Sequence, residues 1–124
     1  MIISRTPFRV SFFGGGTDYP VWYKQNGGAV LSTSIDKYCY ITCRYLPPFF
    51  KYKYRVVYSK LEETKHRNKI DHPAVRECLG HVNPDMSVVV AYDADVPAKS
   101  GLGSSSSFTV GLLNALYGLQ GNNK

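Results

Sequence analysis

The sequence has no apolar run near the roughly 20 residues that a bilayer-spanning helix requires, so no transmembrane segment is expected. Its N-terminus, MIISRTPFRV, lacks a charged leader followed by an apolar stretch. No secretory signal is therefore expected, and the reading is of a cytoplasmic protein without a membrane partner. Cysteine is scarce: Cys39, Cys43 and Cys78 are odd in number and show no CxxC spacing. Neither a disulfide framework nor a thiolate metal site follows from such a set, and all three read as reduced packing residues. His66, His72 and His81 form no HExxH or paired-ligand spacing, so they read as surface residues without a metal.

Acidic residues are also few, nine against 15 Lys and Arg, for a net charge of +6. Residues 37–60 contain no acid at all. They hold Lys37, Arg44, Lys51, Lys53, Arg55 and Lys60, interleaved with Tyr38, Tyr40, Tyr45, Tyr52, Tyr54 and Tyr58. Cations that follow phosphates and rings that stack on bases are the elements of a nucleic-acid surface, and an RNA-binding α+β domain is the alternative they raise. The same alternation describes a half-exposed antiparallel strand, and a cationic face also steers phosphorylated small substrates. A nucleic-acid partner is not the expectation.

What is present suffices for one core. The 124 residues are 44% hydrophobic, and a chain of that size buries about two-thirds of its unfolded surface. Residues 2–13 alternate as a strand, with Phe8, Val10 and Phe12 on one face and Arg9, Ser11 and Phe13 on the other. Gly14, Gly15 and Gly16 break it, and a short helix or turn is expected around Pro20. Residues 29–45 read as strands ended by Pro47-Pro48, and residues 52–58 as another. Residues 60–69 read as a polar, mobile loop, followed by a helix capped by Asp71 with Val75, Leu79 and Val82 on its apolar face. Residues 87–92, SVVVAY, form a β-branched strand. Strands outnumber helices, so the fold class is α+β.

Residues 97–107, PAKSGLGSSSS, lead from that strand into a helical pattern in which Phe108, Leu112, Leu116 and Leu119 share a face, joined by Val110 and Leu113. Strand, glycine loop, helix is the order found in phosphate-binding loops. Gly101 and Gly103 allow close main-chain approach to a ligand, and a helix's first turn leaves N–H groups unpaired with positive partial charge. A Walker loop is excluded, because no Lys follows Gly103 before residue 124. The dinucleotide pattern GxGxxG fails as well, with Ser106 where its third Gly would stand. An anion site and a Ser-rich turn that only caps a helix both remain open at this level. Lys99 reads either as a phosphate contact or as a solvated turn residue.

Pro97, Gly101, Leu102, Gly103, Ser104 and Ser105 resemble the second signature of the GHMP small-molecule kinases, the superfamily of galactokinase, homoserine kinase and mevalonate kinase. Residues 5–20, RTPFRVSFFGGGTDYP, are similar to the first signature of its sugar kinases. The wording, including residues 27–44 and GLGSSSSFTVGLLNAL, most resembles the D-glycero-D-manno-heptose 7-phosphate kinases. The resemblance implies the family's N-terminal domain, ribosomal protein S5 domain 2-like, over residues 1–124. It also implies ATP-dependent phosphorylation of a sugar phosphate at its anomeric hydroxyl, giving a 1,7-bisphosphate for nucleotide-activated heptose and cell-surface polysaccharide synthesis.

In that reading ATP and Mg2+ are the cofactors. Pro97, Gly101, Leu102, Gly103, Ser104, Ser105 and Ser106 hold ATP, and Ser105 also supplies a hydroxyl on the magnesium side. Arg9 is the catalytic cation. Gly15, Gly16, Thr17 and Asp18 bind the sugar phosphate, with Gly15 and Gly16 standing where galactokinases carry Glu-His. Members of the superfamily are usually more than twice as long, so the domain is expected to be incomplete and to lack its C-terminal partner. Self-association, or pairing with a C-terminal half over an exposed face of the last helix, is the corresponding expectation. A non-catalytic ligand-binding remnant is the alternative.

Overall fold

The structure, a computed structural model, describes residues 1–121, so the last three positions of the expected domain lie outside the described residues. Alternation produces β1 (Ile2–Phe13). Gly14 then turns the chain at φ +93°, where a Cβ would overlap the Ala29 carbonyl, so the turn requires glycine. A 3-10 turn over Gly15–Asp18 follows, and Pro20 at the first helical position starts α1 (Pro20–Asn26). The Tyr-, Ile-, Thr- and Cys-rich run is one long strand, β2 (Leu31–Tyr45). The remaining elements are β3 (Tyr54–Val57), β4 (Leu61–Thr64), α2 (Pro73–Val82), β5 (Val88–Ala94) and α3 (Ser104–Leu119).

The five strands form one sheet in the order β1-β2-β5-β3-β4. All neighbours are antiparallel except β3 and β5, which run parallel because α2 crosses between them. α3 packs on β1 and β2, and α2 packs on α3. Between these layers Phe8, Cys39, Ile41, Cys43, Val88 and Val90 of the sheet meet Val75, Leu79, Leu112 and Leu116 of the helices, all sealed from solvent. Each large aliphatic side chain buried there contributes about 1.5–3 kcal/mol. Burial pushes the Cys39 thiol up to about 11 and the Cys43 thiol to about 12, so both stay protonated packing groups.

α3 reaches the sheet closely because it presents glycine there. A Cβ on Gly111 would stand 2.7 Å from Thr6 Oγ1 and 3.2 Å from Ser4 Oγ, and Ser4 Oγ donates to the Gly111 carbonyl at 2.7 Å. One turn earlier the Ser107 hydroxyl donates to the Pro7 carbonyl at 3.1 Å. These contacts fix the start of α3 against the middle of β1.

Several expectations are corrected. The polar segment after residue 60 is ordered into β4 and a 3-10 turn, because β4 pairs with β3 and buries Glu62. His72, next to Pro73, caps α2 in place of Asp71, whose carboxylate is engaged by Lys60 Nζ at 2.6 Å. His72 is also half-buried rather than a surface residue. Phe12 is 58% exposed, since the β1–β2 register shifts between Ser11 and Phe13, and Val110 lies on the solvent side of α3 at 53%. The apolar face of α3 is covered by the sheet and α2. The exposed large apolar residues, among them Phe13, Tyr19, Val21, Trp22 and Leu31, lie instead at the end of β1, in and beside α1 and at the start of β2.

Candidate functional site

The loop between β5 and α3 has an unusual backbone. Lys99, Gly101 and Gly103 take positive φ of 61°, 75° and 75°. Such alternation turns successive N–H groups toward one side, the geometry of an anion-binding concavity. Lys99 holds this conformation with a side chain, which costs of order 1–3 kcal/mol and so depends on its surroundings. α3 begins directly behind. The first helical bond runs from Ser107 N to the Gly103 carbonyl at 3.0 Å, which leaves the N–H groups of Ser104, Ser105 and Ser106 without intrahelical acceptors.

β1 brings Arg9 to this loop. Its N–H donates to the Leu102 carbonyl at 3.0 Å, and its side chain lies across Gly103, where a Cβ would stand 3.1 Å from Arg9 Cγ and 3.3 Å from Nε. A guanidinium thus sits beside the free N–H groups, and Arg9 itself is exposed and makes no ion pair among the described residues. The arrangement concentrates positive charge where an anion can reach it.

Ser104 and Ser105 also border a cavity of about 230 Å³ whose other walls include Tyr58, His72, Tyr92, Ala98 and Phe108. This is below the roughly 300–1,000 Å³ of sites that enclose a whole drug-sized ligand, and fits one ring system. Its aromatic walls are fixed. His72 stacks on Phe108 at 4.8 Å between centroids, Tyr58 meets His72 edge-on at 4.9 Å, and Tyr92 meets Phe108 at 5.2 Å. Buried Glu62 holds two of these walls: it accepts from the Tyr58 hydroxyl at 2.9 Å, from Asp71 N at 2.7 Å and from His72 N at 3.3 Å. Burial and the Glu62 bond push the Tyr58 phenol up, and burial pushes the His72 imidazole down against the opposing pull of Glu62. Sequence reading missed Glu62, because an acid in a polar stretch gives no sign that it faces inward.

The structure gathers Arg9, Leu102, Gly103, Ser104, Ser105 and Ser106 into one place. Pro97 and Gly101 belong to the same loop, and a Cβ on Gly101 would meet open space. Asp18 does not bond to this group. With Thr17, Tyr23, Gly28, Ala29 and Val30 it lines a separate, open cleft. Thr17 serves the backbone there, its hydroxyl donating to the Gly14 carbonyl at 2.7 Å. Gly15 and Gly16 are exposed, with open space where a side chain would go. The tyrosines of the basic segment are largely engaged: Tyr54 donates to the Pro84 carbonyl at 2.7 Å, Tyr45 to the Leu119 carbonyl at 3.3 Å, and the Tyr38 ring lies under Arg5 at 4.5 Å.

Residues 68–124 match the family described as GHMP kinases N terminal domain. No curated protein matches the chain in sequence. Several solved structures superpose on nearly all of it. A D-glycero-D-manno-heptose 1-phosphate kinase from Bacteriodes thetaiotaomicron aligns with TM-score 0.76 and 21% identity, over 94% of this chain and 41% of its own. The mevalonate kinase of Methanococcus jannaschii aligns with TM-score 0.70 and 21% identity, over 99% of this chain and 41% of its own. The chain carries the fold of a GHMP kinase N-terminal domain. It spans about two fifths of the length of these structural relatives. The matched stretch contains the Gly-Ser loop, α2 and α3, whereas Arg9 and Asp18 lie before it. Among the described residues no helix is long and apolar enough to cross a membrane, and no three His, Cys, Asp or Glu cluster as a metal site.

Proposed function

We propose that this GHMP domain is the ATP-binding part of a sugar kinase that phosphorylates the anomeric hydroxyl of D-glycero-D-manno-heptose 7-phosphate, giving the 1,7-bisphosphate for nucleotide-activated heptose. The observation that carries the reading is the side chain of Arg9 lying across Gly103 beside the free N–H groups of Ser104, Ser105 and Ser106. Phosphoryl transfer asks chiefly for two anions held in line and for compensation of charge on the transferring group. The loop N–H groups hold the ATP phosphates, and the cavity behind them takes the base. Arg9 faces the charge that develops as the sugar oxygen attacks.

ATP binds as its magnesium complex. Ser105 is exposed and its hydroxyl makes no hydrogen bond among the described residues, so it would be free to supply an oxygen ligand to that ion, which would neutralise phosphate charge. Asp18 accepts hydrogen bonds from the sugar in the cleft beside α1, which Thr17 also lines, and the exposed Gly15 and Gly16 precede it in the chain and leave space for the sugar phosphate. The heptose kinase among the structural relatives is named for a heptose phosphate, which supports a sugar phosphate as the acceptor.

The test is release of ADP from ATP with heptose 7-phosphate, hexose 6-phosphates and mevalonate as acceptors. It is run on this chain and on the chain supplied with a C-terminal partner domain. Turnover dependent on heptose 7-phosphate is expected. Turnover with mevalonate alone, or with no acceptor, contradicts the reading.

A further inference from the structure

His72 is the only histidine in the wall of the cavity beside Ser104 and Ser105. Its ring is immobilised on three sides: it stacks on Phe108, meets the edge of Tyr58, and its Nδ1 accepts the N–H of Val75 at 3.4 Å as the cap of α2. An Nδ1 that accepts carries no proton, so the neutral ring has its proton on Nε2. Burial favours that neutral form. Glu62 adds a further restraint, holding the His72 backbone N–H and the Tyr58 hydroxyl with one carboxylate oxygen. Nε2 makes no hydrogen bond among the described residues, yet it is not sealed from solvent. The ring is therefore a donor of fixed direction and fixed tautomer with nothing to donate to.

We infer that His72 is a specificity-determining residue for the nucleotide base, its Nε2–H donating to an acceptor ring nitrogen of a purine held against Phe108 and Tyr92. The inference rests on the reading of the cavity as the base end of an ATP site, and it assigns to one side chain the choice of base. A pocket that presents a donor rejects a ligand lacking the matching acceptor, because the donor is then desolvated without a partner.

The test compares binding of MgATP and of inorganic tripolyphosphate to the chain and to His72→Asn. Asn is a strong helix N-cap, so the variant keeps an acceptor for the Val75 N–H, while the ring and its Nε2–H give way to a shorter amide whose N–H groups do not reach the Nε2 position. The expected result is a loss of about tenfold in ATP affinity, the size of one hydrogen bond, with tripolyphosphate affinity unchanged. Equal ATP affinity in the two proteins overturns the inference, and so does an equal loss for both ligands, which marks a general change of shape. If the unaltered chain binds neither ligand, the reading of the site as a nucleotide site falls first. A measurement without any variant covers the case in which His72→Asn does not fold. Nitrogen-15 spectra of the unaltered chain should show His72 as the Nε2–H tautomer, with Nε2 shifting on ATP addition. An Nδ1–H tautomer, or no shift at saturating ATP, overturns the inference.

Discussion

The main-chain N–H of Arg9 donates to the carbonyl of Leu102 at 3.0 Å, and the Arg9 side chain lies across the neighbouring Gly103. Two segments from opposite ends of the chain thereby become one cationic surface. β1 is held at this point by the β2 ladder on one side and by α3 on the other, so the guanidinium is delivered by the sheet and not by a loose loop.

Gly103→Ala should separate the two parts of this relationship when compared with Gly101→Ala. Both positions have φ of +75°, so each substitution costs about 1–2 kcal/mol in denaturant unfolding. Only at Gly103 does the new methyl meet Arg9, whereas Gly101 faces open space. Displaced Arg9 Nε resonances are expected in the first variant and unchanged ones in the second.

Arg9→Ala should lower turnover more than it weakens sugar-phosphate binding, measured as kcat and KM in the acceptor assay. A change confined to KM would place Arg9 in ground-state binding instead. Asp18→Ala should do the opposite, raising the KM for sugar while leaving ATP affinity intact, because its cleft is distinct from the Gly-Ser loop.

The contact of α3 with β1 should tolerate no added volume. Gly111→Ala places a methyl 2.7 Å from Thr6 Oγ1 and is expected to cost about 1–3 kcal/mol in unfolding free energy. Leu112→Ala, in a side chain with no exposure, is expected to cost about 2–5 kcal/mol through the cavity it leaves.

Acid should weaken the fold partly through His72. Its imidazole titrates below the ordinary value of 6.5 because burial disfavours the charged ring, although Glu62 opposes this. The unfolded chain therefore takes up the proton first, and stability present above pH 6.5 is lost as pH falls below it. Lys60 and Asp71 nearby are paired with each other on the surface. The difference in unfolding midpoint between the unaltered chain and His72→Asn is expected to move against the unaltered chain from about pH 7.5 to about pH 5.5, on either side of the ordinary imidazole value. A difference independent of pH would contradict the assignment.

Much of this architecture is legible in the residues because local chemistry dictates it. Alternation marks β1 and the buried Cys39, Ile41 and Cys43 side of β2, and β-branching marks β5. The Gly-Ser run followed by Phe108, Leu112 and Leu116 announces a loop capped by α3. β4 is illegible for a physical reason: Leu61 faces solvent and Glu62 faces inward, the reverse of their polarity, since Glu62 is satisfied by Tyr58 and the start of α2. His72 as a cap is hidden too, as histidine is a rare choice there and Asp71 a common one. Resemblance points to Arg9 and to Gly103 separately, but their contact is a long-range packing event that no local pattern encodes.

Binding of MgATP across the Gly-Ser loop and the cavity beside it is the decisive property of this domain. Amide chemical shifts of the chain, titrated with MgATP, should move at Gly103, Ser104, Ser105 and Ser106 and at the cavity residues Tyr58, His72 and Phe108, saturating together with a single affinity. Shifts confined to other surfaces, or no saturable shift at millimolar MgATP, would contradict it.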